Sequence, residues 1–202
     1  MTPSTVTAWE LVFFLEELSA KAMLEGFLPK VLPDHITPRY IVFEGKSDLE
    51  KSLPVKLRAW LNPRAKFVVL RDQDSGDCTV VKSNLVRLCN KAGKSNTLVR
   101  IACRELESWY IGDLKAVEDG LGVSGLANQQ STRKFRNPDL LNNAYEELSR
   151  VTKQRYQKVS GSRAIGPYLE KNRNCPHSFR AFILGIEAII ASTVSSPEDK
   201  LP

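Results

Sequence analysis

Residues 67–77, Phe67-Val68-Val69-Leu70-Arg71-Asp72-Gln73-Asp74-Ser75-Gly76-Asp77, carry the reading on which the rest of the chain depends. Four apolar residues in a row predict a strand covered on both faces, and such strands belong to parallel sheets. Asp72 and Asp74 end that strand two residues apart, so in extended chain both carboxylates face one spot. Asp77 is placed to cap a following helix, with Val81, Leu85, Leu88, Cys89 and Ala92 on one face and Gly93 as its stop.

The same alternation extends to either side. Leu11–Leu15 and Tyr40–Phe43 predict strands one and two, and Leu98–Cys103 predicts strand four. Between them, Ala20, Met23, Leu24 and Phe27 follow helical spacing, with Ser19 as cap and Pro33 beyond the end. Leu49–Leu61 reads as a second helix in which Pro54 occupies the first turn or a bend. Leu106, Trp109, Tyr110 and Val117 mark a helix after strand four. The order β-α-β-α-β-α-β-α predicts an α/β fold with a mainly parallel sheet flanked by helices.

The pattern changes at Gly120. Residues 120–138 are rich in turn formers and predict a long loop. Leu140 to Tyr156 reads as a helix, and Phe179, Phe182, Ile183, Ile186 and Ile190 mark a last one with Ser178 as cap. A frayed tail is expected after Ser195. Residues 1–120 are thus read as the α/β core, and 121–202 as a loop and helical C-terminal portion packed on the same domain.

The chain has 202 residues, 42% hydrophobic and 26% charged, which excludes a disordered, collagenous or coiled-coil protein. The net charge of +6 is unevenly spread. Residues 133–180 hold 11 basic against 4 acidic side chains, whereas residues 1–132 are nearly balanced at 17 against 16. A polyanionic partner is one explanation of that excess, and surface solubility is the other. Cys78, Cys89, Cys103 and Cys175 contain no CxxC pair, and His35 and His177 stand alone, so no structural zinc site is expected and the thiols read as structural. The apolar runs are too short or too interrupted for a signal peptide or a membrane span, and a cytoplasmic protein is expected.

The acids carry the chemistry. Glu16-Glu17 follows strand one, Glu44-Gly45 strand two, Asp72 and Asp74 strand three, and Glu105 and Glu107 strand four. In a parallel α/β sheet these positions lie beyond the carboxyl ends of the strands, where ligand sites form. Oxygen-rich surroundings suit Mg²⁺ or Mn²⁺. Taken singly, each acid also reads as a helix cap or turn residue, and Glu107 as an acid in the first turn of its helix.

A strand ending in Glu and a later apolar strand ending in Asp-x-Asp resemble the Toprim domains of topoisomerases, primases and overcoming-lysogenization-defect nucleases. More closely, LVFFLEELSAKAMLEGFLP, IVFEGKSDL, FVVLRDQDSGDC and RIACRELESWYIGD resemble a family of small, stand-alone Toprim-like proteins of prokaryotes. That family is catalogued as a domain of unknown function and is often encoded beside an AAA or ABC-type ATPase. KVSGSRAIGPYL and SFRAFILGIEAI resemble its C-terminal part. The resemblance implies that Glu16 is the Toprim glutamate and that Asp72 and Asp74 are the Asp-x-Asp, all three catalytic and metal-binding. Toprim sequences usually carry Glu-Gly where this chain has Glu16-Glu17, so Glu17 is a rival. Glu44-Gly45 matches the dipeptide but comes one strand too late. Glu105 and Glu107 match an acidic family motif and are further candidate metal ligands.

In the basic segment, Arg133, Lys134 and Arg136 lie in the long loop, and Arg150 and Lys153 are neighbours on a helix surface. Lys158-Val159-Ser160-Gly161-Ser162-Arg163 reads as a turn able to meet a phosphate. Lys158, Arg163, Arg133 and Lys134 are therefore candidate substrate-binding residues. Lys158 and Arg163 are expected to approach the carboxylates, or alternatively to tie the two parts of the chain through Glu105 or Glu107. The expected function is metal-dependent cleavage of nucleic acid, as effector of an antiviral defence system with an ATPase partner. The alternative is a non-catalytic Toprim-like subunit that docks on that ATPase.

Overall fold

Alternate residues of the apolar strands point to opposite faces, and the fold uses both faces. The computed structural model describes residues 8–194; the tail expected to fray after Ser195 lies outside them. Four strands, β1 (Trp9–Leu15), β2 (Ile36–Val42), β3 (Ala65–Asp72) and β4 (Leu98–Ala102), form one sheet in the order β2-β1-β3-β4. Every pairing is parallel. β1 and β3 are the central strands, in register from Glu10–Ala65 to Leu15–Leu70.

Leu11, Phe13, Leu15, Val68 and Leu70 face one side, whereas Val12, Phe14, Phe67 and Val69 face the other. The second side is closed by α2 (Lys46–Ala59) and α3 (Cys78–Lys91). The first carries α1 (Leu18–Phe27) and the later helices: α4 (Glu107–Ile111), α5 (Leu114–Leu121), α6 (Ala144–Val151), α7 (Lys158–Ile165) and α8 (His177–Val194). The larger core thus runs from Leu11 to Ile186 and takes in side chains from both ends of the sequence. At full burial, each Leu or Phe in it contributes roughly 1.5–3 kcal/mol.

Several local expectations change. Pro54 sits inside α2 rather than in its first turn. The helix read through Leu106–Val117 breaks at Gly112, and Asp113 caps the second piece by accepting from Ala116 N at 3.2 Å. Only Ala144–Val151 of the long helix ending at Tyr156 is formed, because Lys153 and Gln154 adopt φ of 52° and 63°. Residues 158–165 are helical, not a turn. Ser19 and Ser178 lie within α1 and α8 rather than capping them. Instead Ser178 Oγ donates to Asp139 at 2.7 Å and accepts from Trp109 Nε1 at 2.9 Å, joining three segments. Asp77 does cap α3, accepting from Val80 N at 2.9 Å.

α8 is long and apolar enough to cross a membrane by length and composition alone, but Phe179, Phe182, Ile183 and Ile186 are buried in the core.

Candidate functional site

The parity of the strands decides where the acids go. In β1 the odd positions face the larger core, so Glu17, in extended backbone just past the strand, continues toward that side, and Glu16 toward the α2–α3 side. In β3 the even positions face the larger core, so Asp72 shares a side with Glu17, and Arg71 shares the other with Glu16. Arg71 Nε lies 3.7 Å from Glu16 Oε2, and its Nη1 pairs with Glu50. Glu16 Oε2 also accepts from Asp72 N at 3.2 Å, which ties the ends of the two central strands together.

Asp72 is the centre of the arrangement. Its carboxyl accepts from the backbone N–H of Leu106, and with Glu16, Glu17, Arg71 and Leu106 it lines a narrow crevice. Burial pushes its pKa well above the ordinary carboxylate range, and the charges of Glu107, Glu16 and Glu17 push it further. Glu16 is raised as well, first by burial and then by Asp74 and Glu17, against the opposing pull of the Asp72 N–H and Arg71.

Glu107, at the start of α4, is only 2% exposed. Its Oε1 accepts from Tyr156 Oη at 2.8 Å, and Tyr156 is itself fully buried. Burial raises the Glu107 pKa, while Tyr156 and Lys158 counter the rise. Tyr156 was singled out by no motif, since 49 residues separate it from Glu107.

Lys158, the first residue of α7, reaches Glu17 at 3.2 and 3.3 Å, and its ammonium lies 5.9 Å from the Tyr145 ring centroid. Burial alone would lower its pKa, but the charges of Glu107, Glu17 and Asp72 hold it raised. The expected approach of Lys158 to the carboxylates is therefore met, with Glu17 as its partner. Arg163 does not join it: it is exposed in the last turn of α7, with no ion pair to Glu105 or Glu107.

Three other acids leave the cluster. Asp74 has φ of 56°, so the extended-chain argument fails after Asp72, and its carboxylate pairs with Lys46 Nζ at 3.0 Å. Its charge nonetheless reaches Glu16. Glu105 Oε2 accepts from Tyr145 N at 2.8 Å, so it caps α6 rather than turning to the crevice. Glu44 is exposed at the end of the edge strand β2. Among the described residues, no three His, Cys, Asp or Glu side chains are gathered into a ready metal cage. Arg133 and Lys134 are exposed in the loop before α6, and Lys134 pairs with Glu147 at 2.6 Å.

A parallel sheet in the order β2-β1-β3-β4, with helices on both faces and carboxylates beyond its central strands, defines an α/β protein with a candidate site at the carboxyl ends of those strands. The chain belongs to the DUF4276 family, a domain of unknown function, whose match spans residues 15–187. Its fold is similar to the C-terminal region of the Burkholderia pseudomallei OLD protein, at a TM-score of 0.52 and 18% identity. The similarity covers 89% of this chain and 98% of that one and is one of fold. No curated protein matches the sequence.

Proposed function

We propose that the chain is a metal-dependent nuclease that hydrolyses phosphodiester bonds. The observation that carries the reading is Asp72: a carboxyl at the end of a central strand, in a crevice it shares with Glu16 and Glu17, raised by burial and then by the neighbouring glutamates, with the Lys158 ammonium on Glu17. Uncompensated negative charge of this kind is what a divalent cation cancels. The donors fit Mg²⁺ or Mn²⁺ by chemistry, since Asp72 and Glu17, on one side of the sheet, offer only oxygen, and these two residues would hold the ion, with Glu16 lining the same crevice. When bound, such an ion polarises a phosphodiester and supplies hydroxide at neutral pH. Lys158 places positive charge where a phosphate oxygen would otherwise meet only anions. Glu107, oriented by Tyr156 and held above the usual carboxylate range, is suited to keep and release a proton.

The fold is shared with a region of an OLD protein, and overcoming-lysogenization-defect nucleases are among the proteins the sequence resembles. A cytoplasmic role as effector of an antiviral defence system, with an AAA or ABC-type ATPase as partner, extends the reading and rests on the sequence resemblance. The ion pairs favour a second reading, a regulatory subunit docking on the ATPase, because Arg71 engages Glu16 and Lys46 engages Asp74. Incubating the protein with plasmid DNA and tRNA in Mn²⁺ separates the two. Cleavage by the wild type and its loss in Asp72→Ala supports the nuclease, and inactivity on both substrates supports the subunit.

A further inference from the structure

The loop before α6 forms an open groove of about 510 Å³, lined by Arg133, Lys134, Arg136, Asn137, Leu140 and Leu141. Lys134 is neutralised by Glu147, but Arg133 and Arg136 are exposed and have no acidic partner among the described residues. Beside them Leu140 is 76% exposed, so the groove sets an apolar side chain next to two guanidiniums. The groove is linked to the acidic crevice through one short helix. α6 carries Tyr145, under the Lys158 ammonium, and Glu147, which holds Lys134. Two residues apart, these positions leave different sides of the helix.

We propose that this groove binds a single-stranded segment of nucleic acid as it runs past the Asp72 crevice, with phosphates on Arg133 and Arg136 and a base against Leu140. The inference rests on the nuclease reading and adds the form of the substrate. Guanidiniums alone would serve a duplex equally well, because a duplex presents its phosphates outward. An exposed aliphatic side chain in the same groove gains nothing from a duplex, whose base faces are stacked away. It does gain from unpaired nucleotides, whose faces pack on apolar and guanidinium surfaces. Lys134, already paired, keeps the loop seated on α6.

Binding of fluorescein-labelled single-stranded and duplex oligonucleotides is measured by anisotropy in EDTA across a salt series, so that hydrolysis plays no part. The double variant Arg133→Ala/Arg136→Ala, exposed at both positions, is checked for an unchanged melting temperature. The proposal expects the wild type to prefer the single strand. In the double variant, affinity for it falls at least tenfold, and the slope of log K against log salt is shallower by roughly 1.4, at about 0.7 per phosphate contact. Leu140→Ser is expected to weaken the single strand and leave duplex binding unchanged. Equal binding of both forms, or a double variant that binds like the wild type, overturns the groove and leaves the nuclease reading standing. Cleavage in Mn²⁺ together with competition at the groove by an acidic peptide, but not by oligonucleotide, also overturns it and points to a protein partner.

Discussion

The hydroxyl of Tyr156 donates to Glu107 Oε1 at 2.8 Å in surroundings closed to solvent, joining the segment between α6 and α7 to the start of α4. The Tyr156 ring is held in turn by α7. A methyl group built at Gly161 would stand 2.4 Å from Tyr156 Cδ2, and Ser162 Oγ lies 3.4 Å from the hydroxyl. The lack of a side chain at Gly161 thus lets a helix press against the ring that orients the buried acid.

Removing that hydroxyl leaves a buried carboxyl oxygen without its donor. Tyr156→Phe is expected to lower stability by about 1–3 kcal/mol in urea unfolding. It also moves the Glu107 pKa further up, because the hydrogen bond that favours the ionised form is gone. Carbon-13 NMR titration of the glutamate carboxyls reads that direction. A downward move contradicts it.

Gly161→Ala tests the packing itself. The new methyl forces either the Tyr156 ring or α7 to move, at a cost of about 1–3 kcal/mol. A variant as stable as the wild type would mean that the contact is loose.

The pH dependence of stability follows from the raised carboxyls. Asp72, Glu16 and Glu107 all bind protons more tightly folded than unfolded. The folded state therefore carries more protons once pH exceeds the ordinary carboxylate range, and stability declines as pH rises from there through the folded values. Asp72→Asn removes the central charge. It should raise the melting temperature at neutral pH and flatten the decline, whereas a lower melting temperature at pH 7 would contradict the charge argument.

Divalent ions should act on the same charges. Mn²⁺ at a hundred times its dissociation constant stabilises the folded chain by about 2.7 kcal/mol. Thermal melts with and without Mn²⁺ should show the shift in the wild type and not in Asp72→Asn. An equal shift in both places the ion elsewhere.

Lys158→Met separates charge from packing. The pair with Glu17 is half-exposed on both sides, so its loss should change stability by less than about 1 kcal/mol. The carboxyls of Asp72 and Glu107 should nevertheless titrate at higher pH, because a cation that interacts with both has gone.

The sequence by itself determined the sheet. Apolar runs such as Leu11–Leu15 and Phe67–Leu70 require cover on both faces, and helical spacing between them leaves a parallel α/β order. The placement of acids at the strand ends followed too, since the carboxyl ends of parallel strands lie together. Asp77 and Gly93 were legible because capping is local, acting over three or four residues. What only the tertiary structure decided is which acids share a volume. One residue of parity turns Glu16 to Arg71 and Glu17 to Lys158, and a single φ of 56° sends Asp74 to Lys46. Glu105 and Glu107 are two residues apart, yet one caps α6 and the other is buried on Tyr156. These partners lie 28 to 141 positions apart along the chain, and no local pattern encodes them. Side-chain chemistry is written in the sequence, whereas the direction of a carboxylate is set by the backbone it leaves and the helix it meets, and both are fixed only when the core closes.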